Sequence, residues 1–273
     1  MSSLAPIGEL HTFAAGSFAH AGTSHSVYRK GSGPAVVVIT EMPGITPMVL
    51  GFADRVVELG CSVVLPDLYG TPGRELSLGY IAKSIASVCV SREFSMLALG
   101  KTSPIADWLR ALARAEHERC GGPGVGAVGM CFSGGFALAM ATDPSVIAPV
   151  LSQPGLPFGV SKKHRYSIDT SPKDLDVVAQ RCAGQGLQVL GLRFEGDPGV
   201  PADRFAFLTE RLGSGFVAIE LEQADGNPLA LERPEVIKHH SVLTGSLIDE
   251  PGQPTRNALD QVLELFGSQL LEK

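Results

Sequence analysis

Between Val125 and Ala141 the chain passes from an apolar, strand-like run to a helical one without any linker. Val125-Gly126-Ala127-Val128 leads straight into Gly129-Met130-Cys131-Phe132-Ser133-Gly134-Gly135, and Phe136-Ala137-Leu138-Ala139-Met140-Ala141 comes next. A strand that becomes a helix within a few residues needs a sparsely allowed backbone conformation, which costs on the order of 1–3 kcal/mol. Such a turn also leaves no room for bulky neighbours. Gly129, Ser133, Gly134 and Gly135 meet that demand. The unit places the chain among folds that layer helices on a sheet and excludes an all-helical bundle or an all-β sandwich.

The remaining pattern agrees. Ala35-Val36-Val37-Val38-Ile39 is continuously apolar rather than alternating, as expected of a parallel strand covered on both faces. Residues 48–59 read as a helix with Phe52, Val56 and Leu59 on one face and Gly60 as its stop. Further strands are expected at 62–65, 147–151, 188–193 and 216–220. Helices are expected at 172–182, 201–212 and 257–271, and across 76–119 with a break near 100–104. Strands alternating with helices imply a doubly wound, mostly parallel sheet with helices on both faces, an α/β fold. We assign residues 1–30 to an N-terminal segment carrying an edge-strand candidate at 26–30, and residues 31–273 to a single α/β domain.

With 44% hydrophobic and 18% charged residues, the chain has the composition of a compact folded protein. A formal net charge of −6 gives no general attraction to nucleic acid or an anionic membrane. No stretch approaches the roughly 20 apolar residues that span a bilayer, and residues 1–18 lack a basic region followed by an apolar one, so a cytoplasmic protein is expected. The five cysteines are odd in number, scattered and without a C-x-x-C pair, which suggests neither a disulfide framework nor a zinc site.

Of these cysteines only Cys131 has an elbow around it. The turn would expose its thiol at the carboxyl edge of the sheet and set the Phe132 N–H at a helix start, where developing negative charge is favoured. Ser133 is the rival nucleophile, but it has no glycine two positions before it. A free thiol has a pKa near 8.5 and needs a base at neutral pH. The order nucleophile, acid, histidine directs attention to the pair His239-His240 for the base. It directs attention to Asp197 for the acid, in the turn Glu195-Gly196-Asp197-Pro198-Gly199 after a buried strand. Glu195 and Asp203 are alternative acids.

The elbow, Glu41 after the first buried strand, Asp197 in its turn and His240 before Ser241 together resemble the dienelactone hydrolase family of the α/β-hydrolase superfamily. The likeness runs from the strand at Ala35 to the last helix. It implies an α/β-hydrolase fold and a Cys131-His240-Asp197 triad, choosing His240 over His239. It further implies that Glu41 interacts with the resting thiol, that Met42 N–H joins Phe132 N–H in an oxyanion hole, and that no metal or organic cofactor is needed. The family's substrate-carboxylate arginines have only loose counterparts here, Arg92 and Arg204. In addition, Ser133 stands where the best-known pattern proceeds directly to glycine. The implied activity is hydrolysis of a small carboxylic ester or lactone through a thioester. The alternatives are a non-catalytic ligand-binding or regulatory protein that keeps the fold, and an acyltransferase.

Overall fold

A computed structural model describes residues 6–75, 99–230 and 239–272, with 77, 79–81, 83, 84 and 94 between the first two stretches. Eight strands form one sheet: β1 (Ala14–His20), β2 (Thr23–Lys30), β3 (Ala35–Ile39), β4 (Ser62–Pro66), β5 (Val125–Met130), β6 (Val146–Ser152), β7 (Val189–Phe194) and β8 (Phe216–Leu221). Their spatial order is β1-β2-β4-β3-β5-β6-β7-β8. From β4 to β8 all neighbours are parallel, while β1 pairs antiparallel with β2 and β2 with β4.

Why the β3 run is continuously apolar is visible in the packing. Ala35, Val37 and Ile39 enter one core, and Val36 and Val38 enter the other. The first core is closed by α2 (Ile105–Cys120), α3 (Gly134–Met140), α5 (Pro172–Gln185) and α6 (Ala202–Leu212). The second is closed by α1 (Pro47–Glu58) and α7 (Pro254–Phe266). A short α4 (Lys162–Arg165) lies in the long connection after β6. The expected elements from 35 to 66 and from 105 onward match these within a few residues. The expected helix before residue 99 lies largely outside the described residues, as do Cys89 and Arg92.

The N-terminal region is not a segment apart from the sheet. β1 and β2 form a hairpin whose two turn residues, Ala21 (φ 50°) and Gly22 (φ 83°), both have positive φ, the type I′ signature that suits strand twist. The edge strand is therefore β1, and β2 lies inside it. β2 is also tied to α2: Glu116, almost wholly buried, accepts from Arg29 Nε (2.8 Å) and Nη2 (2.6 Å) and from Arg119 Nε (2.6 Å).

Sheet register fixes the level at which each strand ends. Ile39 lies opposite Gly129, Met130 opposite Ser152 and Ser152 opposite Leu192. The chain segments beyond β3, β5 and β6 thus leave one carboxyl edge at one level, which sets Glu41, Cys131 and Gln153 beside one another.

Removing the buried carboxylate that joins hairpin and helix should weaken the fold. Glu116→Ala is expected to lower the unfolding free energy by roughly 1.5–3 kcal/mol, read as a lower urea midpoint with an unchanged slope.

Candidate active site

Cys131 has φ 52°, the left-handed region that L-residues rarely occupy, and opens a 3₁₀ turn (Cys131–Ser133) that runs into α3. Each small residue of the elbow has a particular neighbour. A Cβ on Gly129 would lie 2.2 Å from the Ser133 carbonyl oxygen, and one on Gly134 would lie 2.4 Å from Pro154 Cα. One on Gly135 would lie 1.7 Å from a carboxylate oxygen of Asp169.

Ser133 is fully buried, and its hydroxyl is engaged by backbone. It accepts from Met130 N–H (3.0 Å) and lies within hydrogen-bond reach of the Ile39 (2.8 Å) and Thr40 (3.0 Å) carbonyls. That excludes it as the nucleophile in this arrangement and explains a serine at this position: the hydroxyl fastens the elbow to the end of β3. Tyr69, also buried, donates to the same Thr40 carbonyl, a contact that gave no signal in the sequence.

The thiol of Cys131 meets His240. On one side the imidazole lies close enough to Cys131 to feel it, and on the other its Nδ1 lies 2.5 Å from Asp197 Oδ2. The remaining Asp197 oxygen accepts from Gly199 N–H at 2.8 Å. With Nδ1 directed to the carboxylate, Nε2 is the nitrogen left for sulfur. Burial by itself lowers the His240 pKa, but the Cys131 charge and the Asp197 hydrogen bond outweigh it and hold the ring well above the ordinary 6.5. At neutral pH that favours a charged imidazolium beside Cys131.

The alternatives point elsewhere. His239 packs on Phe194 and has its Nδ1 3.1 Å from Ser246 Oγ. Glu195 is exposed, and Asp203 pairs with Arg165 at 3.3 Å.

Phe132 is the second residue of the 3₁₀ turn, so its N–H belongs to the amides that a helix start leaves unpaired within the helix. Met42 follows Glu41 beyond β3, precedes a cis bond to Pro43, and packs against the same core as Cys131 and Phe132.

Two expectations change. Both oxygens of buried Glu41 receive hydrogen bonds from residues other than the thiol: Gln153 Nε2 at 3.1 Å and the Thr244 hydroxyl. Arg204 has no exposed surface and faces no substrate. It donates to four main-chain carbonyls: Ser167 (2.8 Å), Pro154 (2.6 Å), Pro157 (2.6 Å) and His164 (3.3 Å). Burial draws its pKa down to about 10 against the opposing effect of Asp169 and Asp197. Arg204 therefore anchors the 154–167 segment, and Arg92 lies outside the described residues. Among the described residues, no group of three or more His, Cys, Asp or Glu is placed to hold a metal ion, and no helix is long and apolar enough to cross a membrane.

This strand order, with its elbow after β5 and an acid and a histidine from later loops, defines an α/β-hydrolase. Residues 20–171 match the dienelactone hydrolase family, and the chain belongs to that family. It is a hydrolase with a small-molecule substrate. Solved structures share the fold. A protein provisionally described as a dienelactone hydrolase from Klebsiella pneumoniae is 18% identical, with 93% of this chain and 98% of that one aligned at a TM-score of 0.60. A dienelactone hydrolase-like promiscuous phosphotriesterase from metagenomic libraries is 18% identical over 95% and 98%, at 0.59. The dienelactone hydrolase of Anabaena variabilis is 15% identical over 94% and 98%, at 0.55. No curated protein matches the chain.

Two outcomes test this geometry. Cys131→Ala and Asp197→Asn each remove an influence that raises the His240 pKa, so the NMR titration of its ring is expected to move down toward 6.5 in both. Gly129→Ala is expected to lower the thermal midpoint sharply. Gly155→Ala, whose Cβ would lie no closer than 3.5 Å to its nearest neighbours in Cys131 and Phe132, should leave it near that of the parent.

Proposed function

We propose that the protein hydrolyses carboxylic esters or lactones with Cys131 as nucleophile, His240 as general base and acid, and Asp197 as the group that orients His240. The observation that carries this reading is the contact of the Cys131 thiol with an imidazole whose opposite nitrogen is held by Asp197. Serial contacts of this kind set a nucleophile and a proton acceptor in one geometry before substrate arrives.

The thiolate attacks the carbonyl carbon, forming a C–S bond as the carbonyl π pair moves onto oxygen. Phe132 and Met42 N–H groups receive that oxyanion. Collapse of the adduct expels the alkoxide, which takes the proton from His240 and leaves a thioester on Cys131. Water then gives a proton to His240 and attacks the thioester, and the second adduct releases the carboxylic product and the thiolate. A reducing compartment such as the cytoplasm suits this thiol. The described Cys61, Cys120, Cys131 and Cys182 are all free.

Cys131→Ala is expected to reduce turnover of activated aryl esters by on the order of 10³-fold or more. Mass spectrometry of the parent with a slow ester is expected to find an acyl adduct on the Cys131 peptide. Equal rates in parent and variant would remove Cys131 from the reaction. A parent with neither turnover nor adduct would be a binding protein, and an adduct passed to added alcohols in preference to water would make it an acyltransferase.

A further inference from the structure

The segment that carries His240 is joined to the sheet by a side-chain network that the triad does not include. Gln153 follows β6 directly and has φ 38°, so among the described non-glycine residues only Ala21, Cys131 and Gln153 have positive φ. Two of these three leave adjacent strands at the same edge. A strained glutamine persists only where its surroundings hold it, and here they do. Gln153 is fully buried. Its backbone N–H donates to Leu192 O at 2.7 Å. Its side-chain Oε1 accepts from Val242 N–H at 3.3 Å and from the Ser152 hydroxyl.

A backbone N–H can only donate, so the atom facing Val242 must be the amide oxygen and the amide NH₂ must face Glu41. The distance agrees, 3.1 Å from Gln153 Nε2 to Glu41 Oε2. The other Glu41 oxygen accepts from the Thr244 hydroxyl. Val242 and Thr244 lie two and four residues beyond His240. One amide and one carboxylate thus hold that segment at two points, from strand ends whose level the sheet register sets. Among the described residues, Tyr69 feels both Glu41 and Cys131, and His240 feels Cys131 and Asp197.

We propose that Gln153 and Thr244 are positioning residues which, through Glu41, fix segment 240–244 and so set His240 against Cys131. This rests on the reading of Cys131 and His240 as the reacting pair. It gives Glu41 a role different from partnering the resting thiol. Only a primary amide of this length supplies a donor to Glu41 and an acceptor to Val242 together, and a hydroxyl at 244 completes the hold.

The test monitors Cys131 itself. Alkylation of the Cys131 peptide by iodoacetamide is measured by mass spectrometry at pH 7, where His240 must assist ionisation, and at pH 9.5, where an accessible thiol ionises unaided. Gln153→Ala, Gln153→Glu and Thr244→Val are expected to slow alkylation at pH 7 by about tenfold with little change at pH 9.5. They are also expected to lower kcat for an activated ester by about 10- to 100-fold with a smaller effect on KM. Thr244→Ser, which retains the hydroxyl, is expected to restore both. Parent-like alkylation and kcat in Thr244→Val and in a folded Gln153 variant would overturn the proposal. Should the Gln153 variants not fold, the Thr244→Val and Thr244→Ser pair decides it. A parent inactive on esters whose alkylation still falls in the variants would sink the ester reading and leave the positioning role. An active parent whose variants alkylate normally would do the reverse.

Discussion

The left-handed backbone at Cys131 is the constraint around which the rest of the site is arranged. To hold it, the Ser133 carbonyl must close over residue 129, which therefore has no side chain. The Ser133 hydroxyl must then find backbone partners, and it finds them at the end of β3. Fastening elbow to β3 brings the loop of Glu41 and Met42 beside the helix start at Phe132. Two amides from distant parts of the chain are thereby brought to neighbouring strand ends. The sheet register does the remaining alignment, because strands ending level with one another deliver their next residues to one place.

Two buried carboxylates serve this place differently. Asp197 has one oxygen on His240 and the other on Gly199 N–H, so it acts on the imidazole directly. Glu41 instead receives one hydrogen bond from Thr244 in the His240 segment and one from Gln153 at the end of β6. One orients a ring and the other a stretch of backbone. The separation has a physical logic. An amide and a hydroxyl occupy the two Glu41 oxygens, so that carboxylate is satisfied without the thiol, while Asp197 is the carboxylate left to His240.

Much of this was legible in the chain. β3, the elbow and the turn of Asp197 follow from apolar continuity, small residues and turn composition, which are local properties, whereas the choice of His240 over His239 came only with the family likeness. β1 was not legible, since its residues are mostly exposed and carry no alternation, and its turn is Ala-Gly rather than Asn-Gly. Gln153 was silent because nothing in Ser152-Gln153-Pro154 announces a positive φ in a glutamine. Arg204 misled because its charge was visible and its burial was not. The carbonyls that satisfy it come from residues 37 to 50 positions earlier in the chain. Glu41 entered only through family likeness, and its partners Gln153 and Thr244 lie 112 and 203 positions away.

The anchoring by Arg204 is blind to side chains. All four of its acceptors are peptide carbonyls, and a carbonyl is the one group every residue supplies. The stretch from Pro154 to Ser167 is held toward its two ends, at Pro154 and Pro157 and at His164 and Ser167, while Phe158 and Val160 are exposed between them. Side chains on this stretch can therefore change without loosening its mooring, which rests on main-chain groups beside Cys131 and nowhere on the identity of the residues held.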